Sequence, residues 1–346
     1  MKHELTRRNL MTAAALAGAS SLVAAPSTGA ASTLANDRKQ EKIVKIDLSF
    51  NSGGVRLAGN LYIPDGLAAG KHPAIIVGHP ASGVKEQTAG LYAQRLAEQG
   101  FITFAFDTAT QGESEGLPRG LEDPARRAEE FKDAVSFLSV RADVDPERIG
   151  VLGICASGGY VVPAAVSDQR IKAVATVSGV DLGRWHRYGA DGKQDPAVFL
   201  GLLEAAAQAR AAEARGEGVK TFTILPDTRE EARAIDAMTL DGWDYYKDRG
   251  KHPRSAKEFT WSSIDRTAVV DGFHFIDTIS PRPLLMIVGT QASSKWMGEE
   301  AIELAQEPKE LFWIEGATHV DLYDKPQYVT PAAAKLTEFF RANLSA

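Results

Sequence analysis

A cysteine at a predicted sharp turn is the first residue whose type and position could do chemistry. Cys155 is the only cysteine of the chain and closely follows the apolar run Ile149 to Leu152, which predicts a buried strand. The segment from Tyr160 to Val166 then predicts a helix. Such a turn exposes one side chain at its tip, and the helix start places partial positive charge beside it. We therefore expect Cys155 to be a nucleophile with a lowered thiol pKa.

The neighbours of Cys155 fit this position. The residues two before and two after the exposed side chain must be small because the backbone crowds them, and they are Gly153 and Ser157. This is the nucleophile-elbow pattern G-x-S-x-G, with Cys in place of the nucleophilic Ser and Ser in place of the last Gly. Short glycine motifs recur by chance, so a buried, inert cysteine is one alternative. Ser157 is a competing nucleophile, although its side chain should point away from the tip.

A sulfur nucleophile needs a base, and His319 is the candidate. It belongs to the sequence Gly316-Ala-Thr-His319, which follows the last predicted strand, so it should lie at the same edge of the sheet as Cys155. A thiolate–imidazolium pair attacks an acyl carbon, and the imidazolium then protonates the leaving group. The order along the chain, with the nucleophile in mid-sheet and the histidine after the last strand, is the order known for a nucleophile at a strand-to-helix turn.

An acid that orients the histidine is harder to assign. It is expected after the strand before the last, but Ala292 stands at that position. Asp181, which follows the predicted strand Ile171 to Val177, is the preferred substitute. Glu299 or Glu300 could also reach back from the next helix, and a dyad without an acid is a further alternative, since a thiolate depends less on an orienting carboxylate than a serine hydroxyl does.

Two backbone N–H groups should bind the oxyanion of an acyl-transfer intermediate. One is the N–H of Ala156, at the start of the predicted helix. The other should come from the loop after the first parallel strand, where Pro80 has no N–H, so that Ala81 or Ser82 must supply it. We interpret His79 in the same loop as an organiser of that loop and not as a second base.

The elements that must position these residues alternate between strands and helices. An antiparallel hairpin comes first, and the later elements predict an α/β fold with a mostly parallel, twisted sheet covered by helices on both faces. The predicted strands are 44–50, 55–63, 74–78, 101–106, 149–152, 171–177, 283–289 and 310–314, and the predicted helices include 88–99, 123–140, 160–166, 197–215, 299–306 and 330–343.

The regular alternation is interrupted between residues about 182 and 278, a stretch with helical and aromatic-rich sequence. We interpret it as a helical cap over the carboxyl edge of the sheet, where open α/β sheets bind ligands. A second domain unrelated to the site is the alternative. The aromatic residues of this insertion either line an apolar pocket or form the core of the cap.

The N-terminus predicts an export signal. Arg7-Arg8 lies in a twin-arginine pattern, followed by a mildly apolar run from Met11 to Ala25 that is too short for a stable membrane span. We expect residues 1–35 to be removed, leaving 36–346 as a periplasmic or secreted protein exported folded. The net charge of −6 does not suggest nucleic acid binding. A single cysteine excludes an intramolecular disulfide and a cysteine-based metal site.

Taken together, these motifs resemble the α/β-hydrolase superfamily over roughly residues 44 to 345. The matching segments are Gly78-His79-Pro80, Phe106-Asp107, Gln111 to Gly116, Asp145 to Cys155 and Gly316 to His319. Within the superfamily the chain looks like the dienelactone-hydrolase-like branch, in which Cys is the nucleophile, and like a bacterial group of hydrolases with the loop Val84-Lys-Glu-Gln87. Ser157 and Ala292 depart from the usual pattern.

The resemblance implies hydrolysis of a carboxylic ester, lactone or thioester by Cys155 and His319, with a small-molecule substrate and neither cofactor nor metal. Two other functions are kept open. The absence of an acid at Ala292 is also compatible with a catalytically inactive binding or scaffold protein on the same fold. An esterase that depends on Ser157 is the other alternative.

Overall fold

The computed structural model describes residues 43–345 of the chain. The predicted export signal, residues 1–35, lies outside this range. Within residues 43–345 no helix combines the length and apolar character that crossing a membrane requires.

Eight strands form one central sheet in the order β1-β2-β4-β3-β5-β6-β9-β10. β1 pairs antiparallel with β2, and β2 antiparallel with β4, whereas the remaining pairs are parallel. The mostly parallel sheet that the sequence predicts is therefore confirmed. The strands of the chain are β1 Ile43–Ser52, β2 Val55–Pro64, β3 His72–Gly78, β4 Ile102–Phe106, β5 Val144–Ile154, β6 Ile171–Val177, β7 Thr221–Thr223, β8 Glu258–Thr260, β9 Leu284–Gly289 and β10 Lys309–Ile314.

Helices cover both faces of the sheet. They are α1 Thr88–Ala97, α2 Pro124–Ser139, α3 Gly158–Ser167, α4 Leu182–Tyr188, α5 Pro196–Ala214, α6 Arg229–Ile235, α7 Ala237–Trp243, α8 Ser262–Ala268, α9 Lys295–Leu304, α10 Asp321–Asp324 and α11 Pro326–Asn343. α2, α3 and α9 contribute to the core on one face, and α1 and α11 to the core on the other. The inner strands are continuous apolar runs because both of their faces are buried.

The strand before Cys155 is longer than the sequence predicts. The predicted strand begins at Ile149, but β5 begins at Val144 and includes Asp145-Pro146-Glu147, a sequence typical of turns. Val144 pairs with His72 of β3, and the register shifts before pairing resumes between Ala74 and Ile149. A turn-forming sequence is therefore accommodated in the first, irregular part of a parallel strand.

The insertion between β6 and β9 carries α4 to α8 and the small antiparallel pair β7–β8. Part of its aromatic content forms its own core, since the ring of Phe222 lies 4.8 Å from that of Trp261 and 6.2 Å from that of Phe259. An ion pair of 2.7 Å joins Arg254 of the insertion to Glu86, and one of 2.9 Å joins Arg249 to Asp324. These contacts tie the insertion to the loops at the carboxyl edge of the sheet.

Candidate active site

Cys155 occupies the tip of a tight turn between β5 and α3. Its φ angle is 55°, in the left-handed region that a non-glycine residue seldom adopts. Every residue from Ile149 to Val162 is buried except Cys155, which is partly exposed. The local backbone thus presents one side chain, as the sequence predicts for this position. Backbone strain of this kind tends to occur at functional sites.

Small residues make the turn possible. A Cβ atom on Gly153 would lie 2.3 Å from the backbone oxygen of Ser157. A Cβ atom on Gly158 would lie 2.5 Å from the Cα atom of Gly179, in the loop after β6. Because these contacts are with backbone atoms, neither neighbour can move aside cheaply. The crowding expected around the turn is therefore real, and it fixes the start of α3 against the adjacent strand.

The thiol of Cys155 has a raised pKa, which differs from the sequence-based expectation. Burial raises the pKa, and the Tyr323 hydroxyl and the backbone N–H groups of Ala156 and Ala81 beside the sulfur act in the opposite direction. The effect of burial, which removes water from the charged sulfur, is larger than the effect of these donors on the pKa. Cys155 is therefore a neutral thiol in the resting protein, not a preformed thiolate.

The donors predicted for an oxyanion both lie at this sulfur. Ala156 supplies the first N–H of the turn, and Ala81, not Ser82, supplies the N–H from the loop after β3. Both N–H groups come from the backbone, which is held rigidly on either side of Cys155. The arrangement could stabilise negative charge on an atom attached to the sulfur.

His319 lies in the loop after β10 and is only 2% exposed. Its Nε2 atom is 3.0 Å from the hydroxyl oxygen of Tyr323, and its Nδ1 atom is 2.7 Å from Oγ of Ser294. The ring of Trp185, from the insertion, lies edge-on at 6.3 Å. Burial lowers the pKa of His319 to about 3, so the imidazole is neutral at physiological pH.

The structure does not bring Asp181 to the ring of His319. Asp181 lies directly before α4, and its carboxylate accepts hydrogen bonds from the N–H groups of Arg184, at 2.6 Å, and Gly272. It therefore caps a helix and anchors a loop of the insertion. Glu300, one of the other proposed acids, forms an ion pair with Arg184.

Ser294 stands where the acid was expected, two residues after Ala292. The turn after β9, closed by a hydrogen bond of 3.1 Å from the N–H of Ala292 to the oxygen of Gly289, leaves Ser294 and not Ala292 beside the histidine. Sequence reasoning missed Ser294 because it searched for a carboxylate. It also missed Tyr323, although a His-x-x-x-Tyr spacing suits two side chains that meet on one side of a helical turn.

Ser157 and His79 have structural contacts. The hydroxyl of Ser157, a residue that is 1% exposed, donates to the backbone oxygen of His79 at 2.6 Å. The Nδ1 atom of His79 lies 2.6 Å from the oxygen of Pro80, and its Nε2 atom accepts from the N–H of Thr108 at 3.2 Å. These bonds hold the loop that carries Ala81, in agreement with the interpretation of His79 as a loop organiser.

A buried ion pair lies below this loop. Nε of Arg127 is 3.0 Å from Oε1 of Glu122, and the hydroxyl of Tyr160 on α3 donates to the same carboxylate at 2.8 Å. Arg127 also donates to the backbone oxygen of His79 at 3.3 Å. The network links α2, the loop after β3 and the helix that begins at the turn. Among residues 43–345, no group of three or more His, Cys, Asp or Glu side chains could hold a metal ion.

A mostly parallel, eight-stranded sheet covered by helices on both faces, with a sharp strand-to-helix turn after β5 and a histidine after the last strand, is the arrangement of an α/β hydrolase. The same fold occurs in the α/β hydrolase GrgF from Penicillium sp. sh18, which aligns over 88% of this chain and 100% of its own with a TM-score of 0.75 and 21% sequence identity. The chain belongs to the X-Pro dipeptidyl-peptidase family (S15), whose model matches residues 53–269, and it is a hydrolase.

Two bacterial relatives align over most of the chain. YcjY of Escherichia coli K12 is 36% identical over 297 residues, which cover 85% of this chain and 96% of YcjY. PA2218 of Pseudomonas aeruginosa is 39% identical over 279 residues, which cover 80% of this chain and 74% of PA2218. The crystal structure of PA2218 superimposes with a TM-score of 0.80 at 35% identity, over 88% of this chain and 95% of the solved one.

The crowding at the turn leads to a first prediction. Gly153→Ala should lower the free energy of unfolding by about 2–3 kcal/mol, because the new methyl group must displace the backbone of Ser157. Gly201→Ala is the matched control, since a Cβ atom there meets nothing within 4 Å, and alanine in helix α5 should stabilise by up to about 1 kcal/mol. Urea denaturation measures both. Equal stability of Gly153→Ala and the wild type would contradict the crowded turn.

Proposed function

We propose that this hydrolase cleaves a carboxylic ester, lactone or thioester through an acyl-enzyme on Cys155. One observation carries the proposal. Cys155 is the one partly exposed residue of an otherwise buried, strained turn, and the N–H groups of Ala81 and Ala156 lie at its sulfur. His319 belongs to the same cluster and offers a neutral imidazole. Nucleophile, oxyanion donors and base are the groups that acyl transfer requires.

The chemistry would proceed in two stages. Sγ of Cys155 forms a bond to the carbonyl carbon while its proton passes to His319, and the carbonyl oxygen becomes an oxyanion between the N–H groups of Ala81 and Ala156. Loss of one such donor typically costs about 10²–10³ in rate. The intermediate then expels the alcohol or thiol, which receives the proton from His319. Water, activated by the same imidazole, releases the acid and restores the thiol.

The resting charges decide when the thiol is activated. Burial holds the thiol neutral and the imidazole neutral, so the proton would leave the sulfur only as the bond to carbon forms. Ser294 would accept a hydrogen bond from Nδ1–H and so keep Nε2 free as the base. A carboxylate at this position would favour the charged imidazolium, whereas a hydroxyl orients the ring without adding charge.

The lining of the site favours an apolar or aromatic substituent on the substrate. Trp185 lies against His319, and Tyr246 is close enough to Cys155 that negative charge on the sulfur would raise the pKa of the phenol. Aromatic side chains of this kind provide apolar surface with few polar groups. Phe222 and its neighbours instead form the core of the insertion, so the aromatic residues serve both roles.

Two alternatives account for less of the geometry. A Ser157-dependent esterase would need a free hydroxyl, whereas that hydroxyl is buried and bonded to the oxygen of His79. An inactive scaffold was considered because Ala292 replaces the acid. Ser294 supplies a polar partner for His319, so the alanine at position 292 no longer argues for an inactive protein.

Exchange of Cys155 tests the nucleophile. Cys155→Ala should reduce turnover of p-nitrophenyl butyrate to the background rate, and the intact mass after mixing should no longer show an acyl adduct. Ser157→Ala is the control, since it should keep the adduct and lose about 1 kcal/mol of stability with its hydrogen bond. A full rate in Cys155→Ala, or loss of the adduct only in Ser157→Ala, would overturn the assignment. Alanyl-prolyl-p-nitroanilide in the same panel tests for dipeptidyl-peptidase activity.

The pKa shifts determine the expected pH dependence. Because the pKa of the Cys155 thiol is raised and that of His319 is about 3, reaction of Cys155 with iodoacetamide should accelerate steadily from pH 6 to 9.5 as the thiolate fraction grows. Between pH 5 and 7, the labelling rate should show no additional decrease from protonation of His319. A labelling rate that is constant from pH 6 to 9 would indicate a preformed thiolate and contradict the neutral resting state.

We further propose that the protein is exported in the folded state by the twin-arginine route, on the basis of Arg7-Arg8 and the apolar run that follows. Replacement of both arginines by lysine should retain the uncleaved chain in the cytoplasm, because this route requires the arginine pair. Cell fractionation with an antibody to the protein measures the distribution. Cleavage and export of the double-lysine variant at the wild-type level would exclude this route.

A further inference from the structure

We propose that the hydroxyl of Tyr323 is a proton relay between Cys155 and His319. The inference rests on the proposed function and adds a residue to its mechanism. A nucleophile–base pair of this fold normally exchanges its proton directly. In this protein the Nε2 atom of His319 faces the Tyr323 hydroxyl, and that hydroxyl lies beside the sulfur.

The geometry places the phenol between the two groups. The Tyr323 oxygen is 3.0 Å from Nε2 of His319, and the two rings are 5.6 Å apart between centroids. The same hydroxyl is one of the groups that oppose the raised pKa of Cys155. Because Cys155 packs against the same buried cluster that contains Tyr323, the phenol is placed to exchange a proton with the sulfur as well as with Nε2, which a proton relay requires.

Packing holds the phenol in this position. Tyr323 is 2% exposed, and the ring of Tyr245 lies edge-on at 5.2 Å and that of Tyr246 at 6.4 Å. The backbone beside it is fixed as well, because the hydroxyl of Tyr92 donates to the oxygen of Leu322 at 2.9 Å. Because the rings of Tyr245 and Tyr246 come from the insertion, the packing that holds Tyr323 depends on the insertion covering the sheet edge.

The relay needs no charged tyrosine. Burial raises the pKa of Tyr323 well above its usual value, and charge on Cys155 or on the neighbouring phenols of Tyr246 and Tyr245 would raise it further. The phenol therefore stays protonated. As the sulfur attacks the carbonyl carbon, the S–H proton moves to the Tyr323 oxygen while the phenolic proton moves to Nε2. In the collapse of the intermediate the two protons return in the opposite direction, and the last one reaches the leaving group.

Ser294 fixes the direction of transfer. For Nε2 of the neutral imidazole to act as the base, it must be unprotonated, so the ring proton must lie on Nδ1. Oγ of Ser294, at 2.7 Å from Nδ1, is placed to accept a hydrogen bond from that N–H. Nε2 then accepts from the Tyr323 hydroxyl, whose oxygen keeps a lone pair for the thiol proton. Ser294 is a positioning residue in this arrangement, whereas the Tyr323 hydroxyl exchanges protons with both the thiol and the imidazole.

Burst kinetics of Tyr323→Phe test the relay. The fast release of p-nitrophenolate from p-nitrophenyl butyrate reports acylation alone, before any water is needed. At pH 7 the burst rate of the variant should fall about 10²-fold, in the range of a lost acid–base catalyst, with little change in KM. Between pH 7 and 9.5 the thiolate fraction of Cys155 grows and needs no relay, so the difference between the variant and the wild type should narrow as the pH rises. Circular dichroism checks that this conservative exchange leaves the fold intact.

Tyr245→Phe is the matched control, because the Tyr245 hydroxyl accepts from the N–H of Thr88 at 3.2 Å and not from the thiol. It should leave the burst unchanged. A Tyr323→Phe defect that is equally large at pH 7 and 9.5 would indicate a packing or oxyanion role and overturn the relay, as would an unchanged burst. If the wild type itself shows neither a burst nor an adduct on Cys155, the proposed hydrolysis fails and the relay with it.

Discussion

The backbone conformation at the end of β5 is the constraint on which the rest of the site depends. A positive φ angle at Cys155 turns the chain from strand to helix within one residue, and only small neighbours leave room for that turn. The turn directs the sulfur out of a buried segment and points the N–H of Ala156 toward it. Gly158 packs on the loop after β6, so the turn is also braced from the side.

The second half of the site depends on polar groups that are buried and hydrogen-bonded to one another. His79, Ser157 and Arg127 exchange hydrogen bonds around the loop after β3, and that loop delivers the N–H of Ala81 to the sulfur. Buried polar networks of this kind specify one arrangement, because an unpaired member would be costly. The positions of both backbone donors thus follow from contacts made well below the surface.

Patterns along the chain were sufficient to predict the sheet and the positions of Cys155 and His319 at one edge of it. They were not sufficient for the partners of His319. Ser294 reaches the imidazole through a turn after β9, and Tyr323 through a helical turn after His319. No local sequence pattern indicates that either residue contacts His319. The thiol pKa was predicted in the wrong direction, since a local rule about helix ends cannot include burial by a distant insertion.

A thiol that carries no charge at rest has a consequence beyond turnover. Oxidants and disulfides react with thiolates far more readily than with thiols, so the protonated Cys155 is poorly reactive toward them. A serine at the same tip would face no such hazard, whereas a permanently ionised sulfur would be consumed in an oxidising environment. In the proposed mechanism, burial therefore protects the one sulfhydryl of the chain until a substrate draws its proton away.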